Sequence, residues 1–484
     1  MEAGSRAHAD RRLGVVMRDY DVVVIGSGAA GLSAAVAARD AGAEVLVCEA
    51  GDRVGGTSAN SGGLFLAAGT ELQRRQGVAD SPDALFEHFM VANKWELEPA
   101  VVRRFVDDGP SALEWLISLG VEFLPTIIPV GQSSVPRGHV PKGWGHSEIT
   151  ALQAAASGGG VDISLSTRVE RLLTDTSGRV VGISAEGTEV RCGAVVVACG
   201  GIGNASDEIL REYWPDACRH GADWHYYIGV ETNRGDAIKL GRAVGAEIGG
   251  KNNGLMVGVS AYHGAIEGPP PGWPLLVNIK GRRFANELLD YSILGHNINR
   301  QPKSVAYGIF DHAAFTRTAD DPRYKFSPIL EAAPGYAWTP DNLREGFAKG
   351  KIVSAPDFTA LAKKCGIDAA TLVATMNEYN QDARAGRDRH FLKDPRSLVP
   401  VETPPFYAME RRAAERAVSF VGLHIDADAR VYSEHGTYVQ GLFAAGEAAS
   451  GIVNYYVATG NSIASCVIFG RAAGRNAAAE RLHA

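Results

Sequence analysis

The stretch that most constrains this chain is 20–63, YDVVVIGSGAAGLSAAVAARDAGAEVLVCEAGDRVGGTSANSGG. Tyr20 to Ile25 is apolar and β-branched and reads as a buried strand. Gly26, Gly28 and Gly31 follow in G-x-G-x-x-G spacing, then an alanine-rich helix to about Asp40, then a second strand, Val45 to Cys48. Strand, glycine turn, helix and strand in that order form the βαβ unit of a dinucleotide fold. Gly26 allows a sharp turn, Gly28 lets the backbone approach a pyrophosphate, and Gly31 lets the helix pack on the strand. The helix N-terminus at Ala29 and Ala30 presents free N–H groups and a positive dipole end to that anion. Glu49, 23 residues after Gly26, can accept hydrogen bonds from the adenosine ribose hydroxyls, with Ala50 beside it.

Which dinucleotide binds depends on the residues that follow. Gly55, Gly56, Thr57, Ser58, Ser61, Gly62 and Gly63 form a loop whose glycines let backbone N–H groups approach a flat polar ligand. A nicotinamide enzyme has no use for such a loop there. At the other end of the chain, Gly441 to Glu447 is an apolar strand ending in Gly446 and an acid. A long helix runs from Asn461, Ser462 and Ile463 to about Arg481. Its N-terminus can stabilise a developing anion, which in a flavoenzyme is the N1/O2 edge of the reduced ring. Both chain ends therefore read as parts of one cofactor site, with a domain inserted between them.

The intervening segments are written less sharply. Residues 81–120 read as two or three amphipathic helices divided at Pro99 and Pro110. Segment 121–148 reads as loop, and its His139, Lys142, Trp144 and His146 are candidates for a pocket wall or for surface. Residues 161–199 read as strands with a turn at Ser177-Gly178. Thr232 to Gly235 leads into a helix whose first turn Asp236 can cap. Pro269 to Pro274 reads as a stiff loop, and helical patterns fill 341–385.

A chain of 484 residues with net charge −7 and no basic blocks excludes nucleic acid as an expected partner. No apolar stretch approaches the ~20 residues of a membrane span. Residues 1–18 are polar and arginine-rich, with too short an apolar run after Arg11-Arg12 for an export signal, and read as a flexible tail. The six cysteines show no C-x-x-C and no metal spacing. They read as reduced thiols of a cytoplasmic protein, with no metal site.

Taken in order, VVVIGSGAAGLSAA, Glu49, GGTSANSGG, VVVACGG, TNRGDAIKLGRAVGA, GRRFANE, GLFAAGEAASG and GNSIASCVIFGRAAG resemble the flavoprotein family of fumarate reductase, succinate dehydrogenase and the 3-ketosteroid dehydrogenases. The resemblance covers nearly the whole chain from residue 19. It implies an α/β fold with a Rossmann-like FAD-binding domain built from both chain ends and an inserted α+β capping domain that carries catalysis. The expected divisions are 1–18 for the tail, 19–250 and 415–484 for the FAD domain, and 251–414 for the capping domain. Val169, Ala198, Gly200, Asp236, Gly446 and Glu447 join the expected FAD contacts. GGTSANSGG has no histidine or cysteine where covalent members attach the ring, so non-covalent FAD is expected.

The resemblance also implies hydride movement between flavin N5 and a carbon next to an activated C–C bond. Fumarate reductases carry a proton-donating arginine four residues after the Asn-Glu of the R-F-x-N-E motif, where this chain has Tyr291. Their second arginine, before the last helix, corresponds to Val457, and their histidine to the stretch 417–419. Dicarboxylates are therefore not expected substrates. In 3-ketosteroid Δ1-dehydrogenases the first position is a tyrosine that removes a proton. A second tyrosine and a glycine four residues on polarise the ketone, and Tyr456 and Gly460 match that spacing. This chain departs from the branch in Val457-Ala458-Thr459, where proline and glycine are usual, and in lacking a supporting tyrosine around 121–140.

The resulting expectation is an FAD-dependent dehydrogenase that introduces a C=C bond next to the carbonyl of an apolar cyclic ketone, with a steroid among the candidates. Tyr456 and Gly460 would hold the carbonyl, Tyr291 would take the α-proton, and His296 is a candidate helper by nearness in sequence. A quinone or an electron-transfer protein would accept the electrons. An ene-reductase running the reverse reaction and a non-catalytic flavin-binding protein are the alternatives.

Overall fold

The computed structural model describes residues 19–220, 224–260, 271–318, 320–324 and 338–480. The tail expected over 1–18, the Pro269-Pro270 part of the proline loop and the helix end expected at Arg481 lie outside the described residues.

The βαβ unit forms where the sequence writes it: strand Tyr20–Ile25, helix Ala29–Asp40, strand Val45–Cys48. These strands are buried on both faces, as expected for a parallel sheet covered by helices. The main sheet runs in the order Arg430–Tyr432, Tyr438–Ala444, Thr188–Val197, Tyr20–Ile25, Val45–Cys48, Asp162–Ser164. All neighbours are parallel except the first pair. Val23 stands opposite both Leu46 and Val195, and Phe443 opposite Val196. The sheet thus joins the two chain ends.

Two helices join them again. The last helix, Asn461–Ala479, packs along Ala29–Asp40. A Cβ on Gly470 would sit 2.5 Å from the Ala30 carbonyl oxygen, and one on Gly474 2.1 Å from that of Ala34. Only glycine permits so close an approach, which explains the small residues on both helices.

A second sheet is built on one long strand, Phe406–Ser419. It pairs with Tyr226–Tyr227, Gly254–Ser260, Val305–Phe310 and Ile352–Ala355, and Leu275–Asn278 extends the sheet beyond Val305–Phe310. The C-terminal end of the long strand reaches Glu447, whose carboxylate accepts from Ser419 N–H and O–H.

Two expectations are corrected. Pro110 does not divide a helix: Pro99–Ser118 is continuous across it. Val102, Phe105, Val106, Gly109, Leu113 and Leu116 form one buried stripe on both sides of the proline. That burial outweighs the ~3 kcal/mol a helix-interior proline costs. Segment 121–148 is not loop. Phe123–Pro129 and Pro136–Pro141 form an antiparallel pair, Phe65–Leu66 adds to its edge, and a helix begins at Trp144. The edge strand comes from more than 60 residues away in sequence, so no local pattern announces it.

Among the described residues no helix is long and apolar enough to cross a membrane, and no cluster of His, Cys, Asp or Glu could hold a metal ion.

Candidate functional site

A cleft opens at the carboxyl ends of the strands Tyr20–Ile25, Val45–Cys48 and Thr188–Val197, the usual ligand position in an open α/β sheet. The space it holds, solvent at its open mouth included, is about 1180 Å³, and residues from both chain ends line it.

Of the expected cofactor residues, Gly26, Gly28, Ala29, Ala30, Glu49, Ala50, Gly56, Thr57, Ser58, Ser61, Ala198, Gly200, Gly446, Glu447, Asn461, Ser462 and Ile463 line the cleft. The glycines divide by role. Gly26 has φ +100°, and a Cβ there would meet the Ala198 carbonyl oxygen at 2.5 Å. Gly31 lies behind the wall, where a Cβ would strike the Gly26 carbonyl at 1.9 Å. Gly28 is open: the nearest atom to a Cβ would be Ser58 Oγ at 3.5 Å. That open space is where a phosphate can meet the helix N-terminus.

Gly55, Gly62, Gly63, Val169 and Asp236 are not among the lining residues. Gly55 and Gly63 let their loop pack on the helix that begins at Trp144. Val169 is buried in strand Val169–Thr174. Asp236 does not cap its helix, because Gly235 holds the N-cap position in a left-handed conformation. Its carboxylate pairs instead with Arg168 and, at 3.7 Å, with Lys239.

Glu49 is held by the protein itself. Its Oε2 accepts from Ser27 N–H at 2.9 Å and Ser27 O–H at 2.5 Å, and Oε1 accepts from Gly51 N–H at 2.7 Å. A carboxylate has about four acceptor sites, so capacity remains for a ribose hydroxyl. Glu447 is engaged differently. Oε1 accepts from Ser419 N–H at 2.8 Å and O–H at 3.0 Å, and Oε2 from Asn233 at 3.2 Å. Burial raises its pKa. Glu447 thus ties the end of strand Phe406–Ser419 to the turn that follows strand Tyr438–Ala444.

Ser27, Asn233, Ser419 and Phe420 are lining residues that the sequence reading did not select. Ser27 is the second residue of the G-x-G turn, and only its contact with Glu49 reveals its role. The open face at Gly28 and a wall contributed by both chain ends fit a ligand running the length of the cleft, as FAD does.

The catalytic candidates meet beyond Phe420. Tyr291 begins the helix Tyr291–Asn299, which Asp290 caps by accepting from Ser292 N–H at 2.9 Å. The preceding Arg283 and Glu287 form a buried bidentate pair at 2.8 and 2.7 Å. Asp388 joins through Arg283 at 2.7 Å, and Lys393 through Glu287 at 3.2 Å. The R-F-x-N-E motif is therefore the anchor that fixes where Tyr291 starts its helix. The Tyr291 hydroxyl lies 3.1 Å from Thr459 Oγ1. Its ring is 6.0 Å from that of Tyr456, which stacks at 6.3 Å and 9° on Phe420.

Burial, with Tyr456 and Asp290 nearby, holds the Tyr291 phenol well above its ordinary range. Burial also pushes Tyr456 up to about 12, opposed by contacts with Tyr291, Ser462 and the Gly460 N–H. Gly460 has φ +101°, and a Cβ there would lie 2.9 Å from Leu66 N, so no other residue fits. Gly460 is the N-cap of the last helix, four residues after Tyr456. Val457 is buried among apolar side chains. Among the described residues no Lys, Arg or His lines the cofactor cleft, whose wall does not include Tyr291, Tyr456 or Gly460.

The remaining candidates lie elsewhere. His139 is buried and bonded to Thr70 Oγ1 at 2.9 Å and the Phe65 carbonyl at 3.1 Å, and burial lowers its pKa. Lys142, Trp144 and His146 are exposed. His296 is exposed on its helix, and the groups that shift Tyr291 are Tyr456, Asp290 and Thr459.

The fold and cleft define the class of FAD-binding oxidoreductases. The sequence profile of the FAD binding domain family matches residues 21–463, and the chain belongs to that family. It is 31% identical over 478 residues to an NADH:fumarate oxidoreductase of Klebsiella pneumoniae, covering 95% of this chain and 48% of that protein. The chain thus spans about half the length of that relative. It is 27% identical to a 4-oxocyclohexanecarboxylate 2-dehydrogenase of Sinomonas cyclohexanicum, over 97% of this chain and 94% of the relative. Among solved structures, a 3-ketosteroid-delta4-(5alpha)-dehydrogenase of Rhodococcus jostii with bound 4-androstene-3,17-dione superposes with a TM-score of 0.77. It is 26% identical, with 95% of this chain and 97% of that one covered.

Proposed function

We propose that this protein is an FAD-dependent oxidoreductase of CH–CH bonds that introduces a C=C bond next to the carbonyl of a cyclic ketone. In this reading the two chain ends hold the cofactor and segment 251–414 caps it. The observation that carries the reading is the juxtaposition of Tyr291 with Tyr456, their rings 6.0 Å apart, with Val457 buried among apolar side chains beside them in sequence. Bound FAD, held without a covalent bond, supplies the hydride acceptor. Tyr456 O–H and Gly460 N–H hold the ketone oxygen and stabilise the enolate that forms on it. Tyr291 takes the α-proton. Val457 and the apolar ring faces exclude water, and their surface suits an apolar ring better than a dicarboxylate. The ketone in the name of the Sinomonas relative and the steroid ketone bound to the Rhodococcus dehydrogenase support the same chemistry. A quinone or an electron-transfer protein takes the electrons onward, and the six free cysteines suit the reducing cytoplasm.

A second reading, reduction of an α,β-unsaturated ketone, is favoured by one observation. The raised pKa of Tyr291 keeps it a neutral phenol, the form that delivers a proton. The same three groups serve both directions.

The test is an anaerobic screen of the FAD-loaded protein against saturated cyclic ketones, 4-oxocyclohexanecarboxylate and 4-androstene-3,17-dione. Bleaching of the flavin by a ketone, with no other reductant, is the expected result. Oxidation of dithionite-reduced protein only by enones would favour the reductase. No response to either class would leave a flavin-binding protein without this catalysis and overturn the proposal.

A further inference from the structure

Residues 451–460 join strand Ala449–Ser450 to the last helix with no regular element between them. Ile452 and Val453 line the cofactor cleft where this loop starts, and Asn461 to Ile463 line it where the loop ends. In between it carries Tyr456, whose ring meets those of Phe420 and Tyr291. A segment without a backbone ladder takes its position from whatever else pairs its N–H groups. Here one side chain does so: Asn93 Oδ1 accepts from Asn454 N–H and from Tyr455 N–H, both at 2.8 Å. A carbonyl oxygen has two lone pairs, and the loop takes both.

Asn93 is itself firmly held. It is fully buried, and its Nδ2 donates to the Phe89 carbonyl at 2.9 Å. It is the C-cap of helix Pro82–Ala92, and Phe89 on that helix packs against Phe105 with ring centroids 4.9 Å apart. The next two N–H groups close the helix end. Lys94 N–H donates to the Val91 carbonyl at 3.0 Å, and Trp95 N–H to that of Met90 at 2.8 Å. This is a Schellman ending, whose left-handed position is usually glycine. Lys94 fills it with φ +56°, and Trp95 follows at φ +58°. Lys94 thus keeps a side chain where glycine would be unstrained, and its Nζ donates to the Tyr455 hydroxyl at 2.7 Å. Beyond Tyr456 the loop is backed by Gly131, where a Cβ would lie 2.4 Å from the Val457 carbonyl oxygen.

We propose that Asn93 is a positioning residue: by holding the backbone at 454–455 it fixes Tyr456 where the reaction needs it. Asn93 does not line the cofactor cleft and acts through the loop. The inference rests on the reading in which Tyr456 holds the ketone oxygen. A donor to a developing oxyanion works only within about 2.7–3.1 Å of it, and a misplacement of about 1 Å can cost roughly 10²-fold in rate. Without the Asn93 oxygen, two loop N–H groups lose their acceptor, and the backbone beside Tyr456 is free to shift by that much.

The experiment compares FAD-loaded full-length protein carrying Asn93, Asn93→Leu or Asn93→Asp, each alone and combined with Tyr456→Phe. Amide hydrogen exchange in peptides spanning 454–455 reads the loop, and flavin bleaching by 4-oxocyclohexanecarboxylate or 4-androstene-3,17-dione reads the reaction. Asn93→Leu should speed exchange at 454–455 by about tenfold or more. It should slow the limiting rate of bleaching by about 10- to 100-fold, with the half-saturating ketone concentration within about threefold and FAD content unchanged. Asn93→Asp, which as the neutral acid keeps an acceptor for the loop and a donor for Phe89, should return both readouts to within about fivefold of wild type. In the Tyr456→Phe background, Asn93→Leu should slow bleaching by less than about twofold more, because both changes remove the same contact. Wild-type exchange in the Leu variant would overturn the proposal. So would a double variant slowed by the full product of the two single effects, or an Asp variant as slow as Leu. Tyr456→Phe protein with the wild-type rate would overturn the ketone reading and the positioning role with it, whereas the other failures strike the positioning role alone. If the Leu variant does not fold, Asn93→Ala makes the same comparisons.

Discussion

At the residue scale, the two tyrosines of the proposed reaction have distinct tasks and distinct signatures. In that proposal Tyr456 is one of two donors to a developing oxyanion, so Tyr456→Phe should lower turnover by roughly 10²–10³-fold. Its FAD content should stay normal, because the lining of the cofactor cleft does not include Tyr456. Flavin absorbance per protein and steady-state rates check both halves. In the same proposal Tyr291 is the proton-transfer group, and its ionisation works in a definite direction. Burial and its neighbours raise the pKa above 10.0, so near neutral pH almost all of it is phenol. Ketone dehydrogenation, which needs the phenolate, should therefore rise by about tenfold per pH unit from neutrality upward. Enone reduction, which needs the phenol, should be flat over the same range. Tyr291→Phe should nearly abolish turnover in both directions and remove the alkaline rise, with folding and FAD content unchanged. A Phe variant with normal turnover would make Tyr291 a packing residue.

At the scale of elements, the helix that presents Tyr291 is set by buried ions two turns upstream. The Arg283–Glu287 pair has side-chain exposures of 8% and 0%, with Lys393 and Asp388 completing the network. Removing one partner leaves a buried charge uncompensated. Arg283→Met should thus destabilise the fold by about 3–5 kcal/mol, read as a lower denaturation midpoint. The motif around these residues was legible in the sequence, and so was the offset to Tyr291. That Arg283 and Glu287 are anchors was not, since their partners lie some 100 residues on. The same contrast runs through the fold. The βαβ unit and the last helix were readable because their signals are local: glycine spacing, β-branched runs and small-residue stripes. The 121–141 hairpin was hidden because proline-rich strands lack alternation and their edge partner is Phe65–Leu66. Pro110 misled because a local breaker was weighed without the buried stripe that spans it.

At the scale of the whole molecule, the cofactor cleft is the seam where the chain closes on itself. Residues from 26 to 61, from 198 to 233, from 417 to 420 and from 446 to 466 all face it. FAD binding should therefore stabilise the entire fold and not one lobe. At 100 times its dissociation constant, a ligand specific for the native state adds about 2.7 kcal/mol, so the melting temperature should climb with FAD concentration in a single transition. The bond to the protein should be non-covalent. GGTSANSGG offers no histidine or cysteine, and the two cysteines in the cleft wall, Cys199 and Cys466, are pushed up to about 12 by burial. Thiols so protonated are poor nucleophiles. Acid precipitation should consequently release all yellow colour into the supernatant, and colour left in the pellet would refute this. Glu49→Lys connects the two observations. A lysine there loses the acceptors that bind Ser27 and Gly51 and places a cation where ribose hydroxyls need an acceptor. The variant should purify with less FAD, and its melting temperature should shift less on adding FAD than that of wild type. An equal shift would mean that Glu49 serves only its own loop.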